Sequence, residues 1–207
     1  MAITVKSNGG GGTKLFIDDV KYKNDLNLQS LILSFEKSTL PYVFYEGDAI
    51  VYNNQIHILG SSDRNKHYVY NGSTWTSEST LPYVFYEGDA IVYNDKIHIL
   101  GGYSNGTNHY VYNGSTWTSE STLPYDFYQG SAIVYNDKIH ILGRYSSSTA
   151  PRTNHYAYNG STWTNESTLP YEFYEGSAIM YNNQINILGG YNKNEHYAID
   201  ATLYEEV

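Results

Sequence analysis

The chain has 207 residues, no cysteine and a formal net charge of −9. The lack of thiols excludes disulfides, thiolate catalysis and cysteine-ligated metals. The 12 Lys and Arg are scattered, and without the basic patch that phosphate binding needs, nucleic acid is excluded as a partner. The length fits one domain able to bury roughly 70% of the unfolded chain's surface. No run approaches 18 apolar residues and the start lacks an export pattern, so no membrane insertion is expected, and synthesis in the cytoplasm without a signal peptide is.

Residues 1–37 hold four β-prone segments, Ala2 to Lys6, Lys14 to Ile17, Val20 to Lys23 and Leu31 to Phe35. Gly9 to Gly12 lie between the first two, and Asp18-Asp19 and Asn24-Asp25 suit the later turns. This segment is either a degenerate copy of the unit that follows or an arm that docks the protein onto something larger. The glycine run fits a flexible or closely packed link. Leu31 to Phe35 is expected to pair with the first or last unit.

From residue 38 the chain repeats. Ser38-Thr39-Leu40-Pro41-Tyr42 returns at Ser79, Ser121 and Ser167, which divides the remainder into 38–78, 79–120, 121–166 and 167–207. A fixed period of this size built from short β segments marks a propeller or a solenoid. In the first unit Ala49 to Tyr52 predicts strand a, and Asn53-Asn54 a tight hairpin turn. Gln55 to Leu59 predicts strand b, ending at Gly60. The polar stretch Ser61 to Lys66 predicts a loop, and His67 to Tyr70 strand c. Asn71-Gly72 is a strong hairpin signal before strand d, Thr74 to Thr76. Asn71, Asn113 and Asn159 also match a glycosylation sequon and are read as turn residues.

Four antiparallel strands in about 42 residues describe a propeller blade. The pattern resembles the kelch repeat: a strand ending in Gly-Gly, a strand with Tyr, a strand with Trp, then Leu-Pro. Gly101-Gly102 and Gly189-Gly190 are full glycine pairs, while Gly60-Ser61 and Gly143-Arg144 keep the first glycine. Trp75, Trp117 and Trp163 hold the Trp place, and Tyr204 replaces it in the last unit. The expected fold is all-β, a β-propeller of four kelch-type four-stranded blades, with residues 1–37 forming a degenerate fifth blade or a docking arm.

The units differ most in their b–c loops, residues 60–66, 101–108, 143–154 and 189–195. In an up-and-down blade these loops emerge on the same face as the d–a connections. Those connections are aromatic: Tyr45, Tyr86, Tyr128 and Tyr174, beside Glu46, Glu87 and Glu175. With Arg64, Tyr103, Asn105, Arg144, Tyr145, Arg152 and Tyr191 from the loops, they are the candidate ligand-binding set. Tyrosine offers a flat apolar surface and a hydroxyl with little rotamer entropy to lose. Phe44, Phe85, Phe127 and Phe173 are assigned to the core. The opposite face is paved with uniform Asn turns.

His57, His98 and His140 recur in strand b, with Asn186 in the fourth unit, and His67, His109, His155 and His196 open strand c. Rotation about a wide axis need not bring such groups within metal-bonding range, so hydrogen bonds to a neighbouring blade's backbone are expected. The acids near strand a, Glu46 with Asp48, Glu87 with Asp89, and Glu175, form either a solvated rim or a calcium site, with the rim favoured. Some kelch-like propellers are copper oxidases with a Tyr–Cys cross-link, which a chain without cysteine cannot reproduce. No nucleophile motif, phosphate cradle or unique catalytic pair is evident, and an active site needs unlike groups at one place rather than fourfold copies.

A non-enzymatic recognition module without cofactor or metal is therefore expected. The resemblance is nearest to kelch-type proteins of Gram-positive bacteria and their phages, which implies a virion or tail-associated protein. It would bind a host surface glycan or protein alongside other structural proteins of the particle, with homo-oligomerisation open. The alternatives are a structural decoration held through the Asn-turn face, and a polysaccharide-active enzyme.

Overall fold

The computed structural model describes residues 3–8, 12–17, 38–61, 64–145 and 151–199. The chain divides into two compact units, Met1–Lys37 and Ser38–Val207. In the first, β1 (Ile3–Asn8) pairs antiparallel with β2 (Gly12–Ile17), and Asn8 sits opposite Gly12. The pairing carries both expected strands further towards the glycines. The strands expected at Val20 to Lys23 and Leu31 to Phe35 lie outside the described residues.

The second unit is a β-propeller of four blades, each an antiparallel meander in chain order. Blade 1 is β3 (Asp48–Tyr52), β4 (Gln55–Ser61), β5 (Arg64–Tyr70) and β6 (Trp75–Ser77). Blade 2 is β7 (Asp89–Tyr93), β8 (Lys96–Leu100), β9 (His109–Tyr112) and β10 (Trp117–Ser119). Blade 3 is β11 (Ser131–Tyr135), β12 (Lys138–Leu142), β13 (His155–Tyr158) and β14 (Trp163–Asn165). Blade 4 contributes β15 (Ser177–Tyr181), β16 (Gln184–Leu188) and β17 (His196–Ile199), and the place expected for its strand d, around Tyr204, lies outside the described residues. No helix occurs among the described residues.

Local chemistry sets the turns. Asn53-Asn54, Asn94-Asp95, Asn136-Asp137 and Asn182-Asn183 all have φ between 46° and 59°, the left-handed pair that a two-residue hairpin turn requires and that Asn and Asp tolerate. At the c–d hairpins the Asn71, Asn113 and Asn159 side-chain oxygens each accept two backbone N–H bonds, Asn71 Oδ1 from Ser73 and Thr74 at 2.9 and 3.0 Å. Where a loop was expected from Ser61 to Lys66, β4 and β5 pair on to Ser61 opposite Arg64, past an irregularity after Leu59. A short connection leaves the strands room to continue.

The core lies between blades rather than within them. Strand a of each blade packs beside strand a of the next, β3 on β7, β7 on β11 and β11 on β15. Tyr52 and Leu59 of blade 1 cluster with Leu81, Phe85, Ile97, Ile99 and Tyr112 of blade 2, and the next two junctions repeat the pattern. Phe85, Phe127 and Phe173 are fully buried, each side chain of this size contributing roughly 1.5–3 kcal/mol.

Polar groups recur at the same junctions. The backbone N–H of Ser61, Gly102 and Arg144 donates to the carbonyls of Phe85, Phe127 and Phe173 at 3.0, 2.8 and 2.9 Å. Nearer the axis, Glu87, Gln129 and Glu175 donate to the carbonyls of Glu46, Glu87 and Gln129 at 2.9, 2.8 and 2.7 Å. On the Asn-turn side, Tyr52 Oη donates to Asp95 O at 2.9 Å and Tyr93 Oη to Asp137 O at 2.8 Å.

Candidate functional site

One face of the blade array is built from the d–a connections and the b–c loops, pinned together inside each blade. The Leu-Pro-Tyr tyrosines Tyr42, Tyr83, Tyr125 and Tyr171 donate to the carbonyls of Gly60, Gly101, Gly143 and Gly189 at 2.7, 2.9, 3.1 and 2.8 Å. The backbone N–H of Tyr103, Tyr145 and Tyr191 donates to the carbonyls of Tyr86, Tyr128 and Tyr174 at 3.1, 2.9 and 2.9 Å. Each loop tyrosine is thereby set beside the tyrosine of its own d–a connection.

The pairs join across blades into one arc. Ring centroids run Tyr86–Tyr103 5.6 Å, Tyr103–Tyr128 5.7 Å, Tyr128–Tyr145 5.6 Å, Tyr145–Tyr174 5.4 Å and Tyr174–Tyr191 5.4 Å. These spacings are those of mutually supporting aromatic pairs. Tyr103 and Tyr191 are more than half exposed, while Tyr174 is buried beneath its neighbours. Burial pushes the Tyr128 phenol above its ordinary range. The Arg152 guanidinium lies 5.6 Å from the Tyr145 ring centre and 5.2 Å from that of Tyr174, and its Nη1 pairs with Glu172 Oε2 at 3.2 Å. Stacking on two rings and pairing with a carboxylate fix the cation's place on the arc.

The other candidates from the sequence take different roles. Tyr45 is 52% exposed and stands apart from the arc, because the sequence of blade 1 has Ser62 where the others place a loop tyrosine two residues after the first glycine. Glu46, Glu87 and Glu175 have φ of 59°, 55° and 55° and serve the axial chain of backbone bonds. The Glu87 side chain also accepts from Gln129 Nε2 at 2.8 Å. Arg64 stacks 5.6 Å from the Tyr42 ring. Arg144 is buried and donates to the carbonyls of Pro151 and Asp126, both at 3.3 Å, so it holds its loop in place instead of presenting a free cation. The Asn105 side-chain oxygen accepts from Asn108 Nδ2 at 3.4 Å within its own loop. Sequence reading missed Glu172 and Ser104, whose Oγ lies 3.4 Å from Tyr86 Oη. Glu172 differs from Val43, Val84 and Asp126 at the same repeat position, a signal that pointed to it.

The acids near strand a belong to the junctions. Asp48 Oδ2 accepts from Ala90 N–H at 2.7 Å, Asp89 Oδ2 from Ala132 N–H at 2.6 Å, and Ser131 Oγ takes the same part towards Ala178 at 3.1 Å. Burial raises both carboxyls, and the charge of Asp48 raises Asp89 further.

As expected, a strand-c histidine bonds the backbone of the next repeat, His109 Nδ1 lying 3.2 Å from the Ser121 carbonyl oxygen, whereas the strand-b histidines turn to those of strand c. They pair side chain to side chain between strands b and c of one blade: His57 Nδ1 to His67 Nε2 at 2.8 Å, His98 to His109 at 2.8 Å and His140 to His155 at 2.9 Å. Strand pairing places the two rings side by side, leaving the neighbouring blade's aromatic rings to pack on them. Where Asn186 replaces the first histidine, its Oδ1 lies 2.8 Å from His196 Nε2, and its amide donates to the carbonyls of Tyr181 and Gln184. No group of three or more metal-ligating side chains occurs among the described residues. On the opposite face a shallow depression lined by Tyr93, Asn94, Lys96, His98, Glu120, Tyr158 and Gly160 lies at the seam between blades 2 and 3. There Tyr158 Oη donates to Glu120 Oε2 at 3.1 Å.

Fold and site together define a β-propeller that presents an aromatic loop face. No protein-family model and no curated protein sequence matches the chain. Among solved structures of similar fold is one described as the structure of YjhT, a propeller-type fold, with a TM-score of 0.64 and 13% sequence identity over 77% of this chain and 66% of that one. At this identity the likeness shows the fold alone, and this chain spans about two thirds of that structure's length. No helix among the described residues is long and apolar enough to cross a membrane.

Proposed function

We propose that the protein is a non-enzymatic binding module whose contact surface is the tyrosine arc, and that its ligand is an extended surface glycan. The observation that carries this is the continuity of the arc: six tyrosines from three blades, each within 5.7 Å of the next. The exposed rings of Tyr103 and Tyr191, held by edge-to-face and stacked neighbours, support stacking of sugar rings and hydrogen bonding to their hydroxyls, at low entropic cost to the protein. The arc is carried on loops braced by rigid strands, the usual arrangement of a recognition surface. Following the kelch resemblance, we place the module on a virion or its tail, with the glycan on the host cell.

The experiment is binding of the purified chain to a panel of bacterial surface glycans and intact cells, beside Tyr103→Ala and Tyr191→Ala. Central aromatic anchors typically cost about 2 kcal/mol or more when truncated, so each variant should bind its glycan roughly 30-fold less tightly while melting as the parent does. Glycan binding unchanged in both variants overturns the assignment of the arc, and binding to a host protein alone overturns the glycan.

A further inference from the structure

Every blade junction joins two faces. The leading face carries the last tyrosine of strand a, the leucine ending strand b and the histidine opening strand c, as Tyr52, Leu59 and His67 do in blade 1. The trailing face of the next blade carries the leucine and phenylalanine of the d–a connection and the first isoleucine of strand b, as Leu81, Phe85 and Ile97 do. Three junctions use three leading and three trailing faces. The trailing face of blade 1 and the leading face of blade 4 are left over, and no hydrogen bond joins these two blades among the described residues.

Among the described residues both remaining faces are uncovered. Leu40 and Ile56 are each 42% exposed, whereas Leu81, Leu123 and Leu169 are at most 4% exposed and Ile97, Ile139 and Ile185 are fully buried. Tyr181 is 63% exposed, against 3–8% for Tyr52, Tyr93 and Tyr135. A Cβ added at Gly101 would lie 1.9 Å from the Phe127 carbonyl of the next blade, but at Gly189 it meets nothing nearer than 3.5 Å. The backbone groups left over also match. Gly190 N–H and Phe44 C=O are the next donor and acceptor in the outer series of junction bonds, and Glu46 N–H and Glu175 C=O the next in the axial series. None of these four groups has a partner among the described residues.

We propose that the two faces bind each other between copies, so that the chain associates head to tail with the leading face of blade 4 seated on the trailing face of blade 1 of a second copy. The occupant follows from the repeats: each face is a near copy of one that already finds its partner three times inside the chain. Exposed apolar surface of this kind, rimmed by matched donors and acceptors, marks an interaction site. Such a contact is heterologous, and it closes into a ring where the rotation allows or runs on as a filament where it does not. Two four-blade copies would make eight blades, at the upper end of the usual propeller range.

The test is sedimentation velocity of the 207-residue chain beside Ile56→Asp, which charges the trailing face, and Tyr181→Asp, which charges the leading face. Both positions are exposed, so circular dichroism and melting should match the parent. The parent should sediment as a dimer or larger at micromolar concentration, and each variant alone as a monomer. An equimolar mixture of the variants should recover a 1:1 dimer, since it holds one intact face of each kind. A parent that stays monomeric overturns the proposal, as do variants that associate like the parent or a mixture that stays monomeric.

Discussion

Gly101 and Gly189 occupy the same place in two repeats and share a left-handed backbone, with φ of 65° and 63°. Only the first is pressed against a following blade. Gly101→Ala should therefore destabilise by about 3 kcal/mol or more, combining the left-handed penalty with overpacking. At dilutions where the chain is monomeric, Gly189→Ala should cost about 1 kcal/mol, the conformational part alone. Urea denaturation of the two variants decides this, and equal costs would contradict the contact. Asp89 and Ser131 also share one place and one task, each accepting a backbone N–H from the following blade. Asp89→Ser keeps an acceptor and removes a raised carboxyl from beside Asp48, so stability at neutral pH should be unchanged or higher in the same assay.

At the scale of the element, the histidine pairs give the blades an acid limit. Burial, and for His67 the nearby His57, holds His67 down to about 3; burial likewise holds His98, His109 and His155 down to about 4. Between these values and the ordinary 6.5 the unfolded chain takes up protons that the folded chain refuses, so their contribution is intact above about pH 6.5 and is lost as the pH falls towards 4. Asp48 and Asp89 act in the opposite sense, their raised carboxyls favouring the fold as acid is added. With three histidine pairs against one carboxyl pair, the urea midpoint at about pH 5 should lie below that at pH 7.5, and imidazole resonances should show His98 and His109 neutral at pH 5.

The elements themselves were legible in the sequence, because Asn-Asn, Asn-Asp and Asn-Gly state a turn chemically and the Gly60 and Gly101 positions state a backbone need. The tyrosines of the arc were legible as loop residues, but their continuity was not, since Tyr103 meets Tyr128 only at the angle between two blades. Arg144 was placed in the ligand-binding set because the fold of its own loop, which brings the Pro151 and Asp126 carbonyls onto its guanidinium, is not written in a repeat. The contact of His109 with the next repeat was legible, but the histidine pairs were not, because strand pairing sets His57 diagonally across from His67 on one face of the blade.

At the scale of the whole molecule, stability should follow nearest-neighbour rules, with each blade held by its own strands and by the junctions beside it. Blades 2 and 3 each have two junctions, while blades 1 and 4 each have one. At dilutions where the chain is monomeric, hydrogen exchange should be slowest at Ile97, Ile99, Ile139 and Ile141, which are fully buried, and fastest along β15, where Ile179 and Tyr181 are exposed. Uniform protection across the blades would contradict this order.

The sameness of the junctions has a genetic consequence. If residues 79–120 were removed as one block, Asp48 would meet Ala132 as it now meets Ala90, and the carbonyl of Glu46 would meet Gln129 as it now meets Glu87. A whole blade can therefore be deleted or added without leaving a mismatched seam, so that blade number is a quantity the fold leaves free to vary in one step.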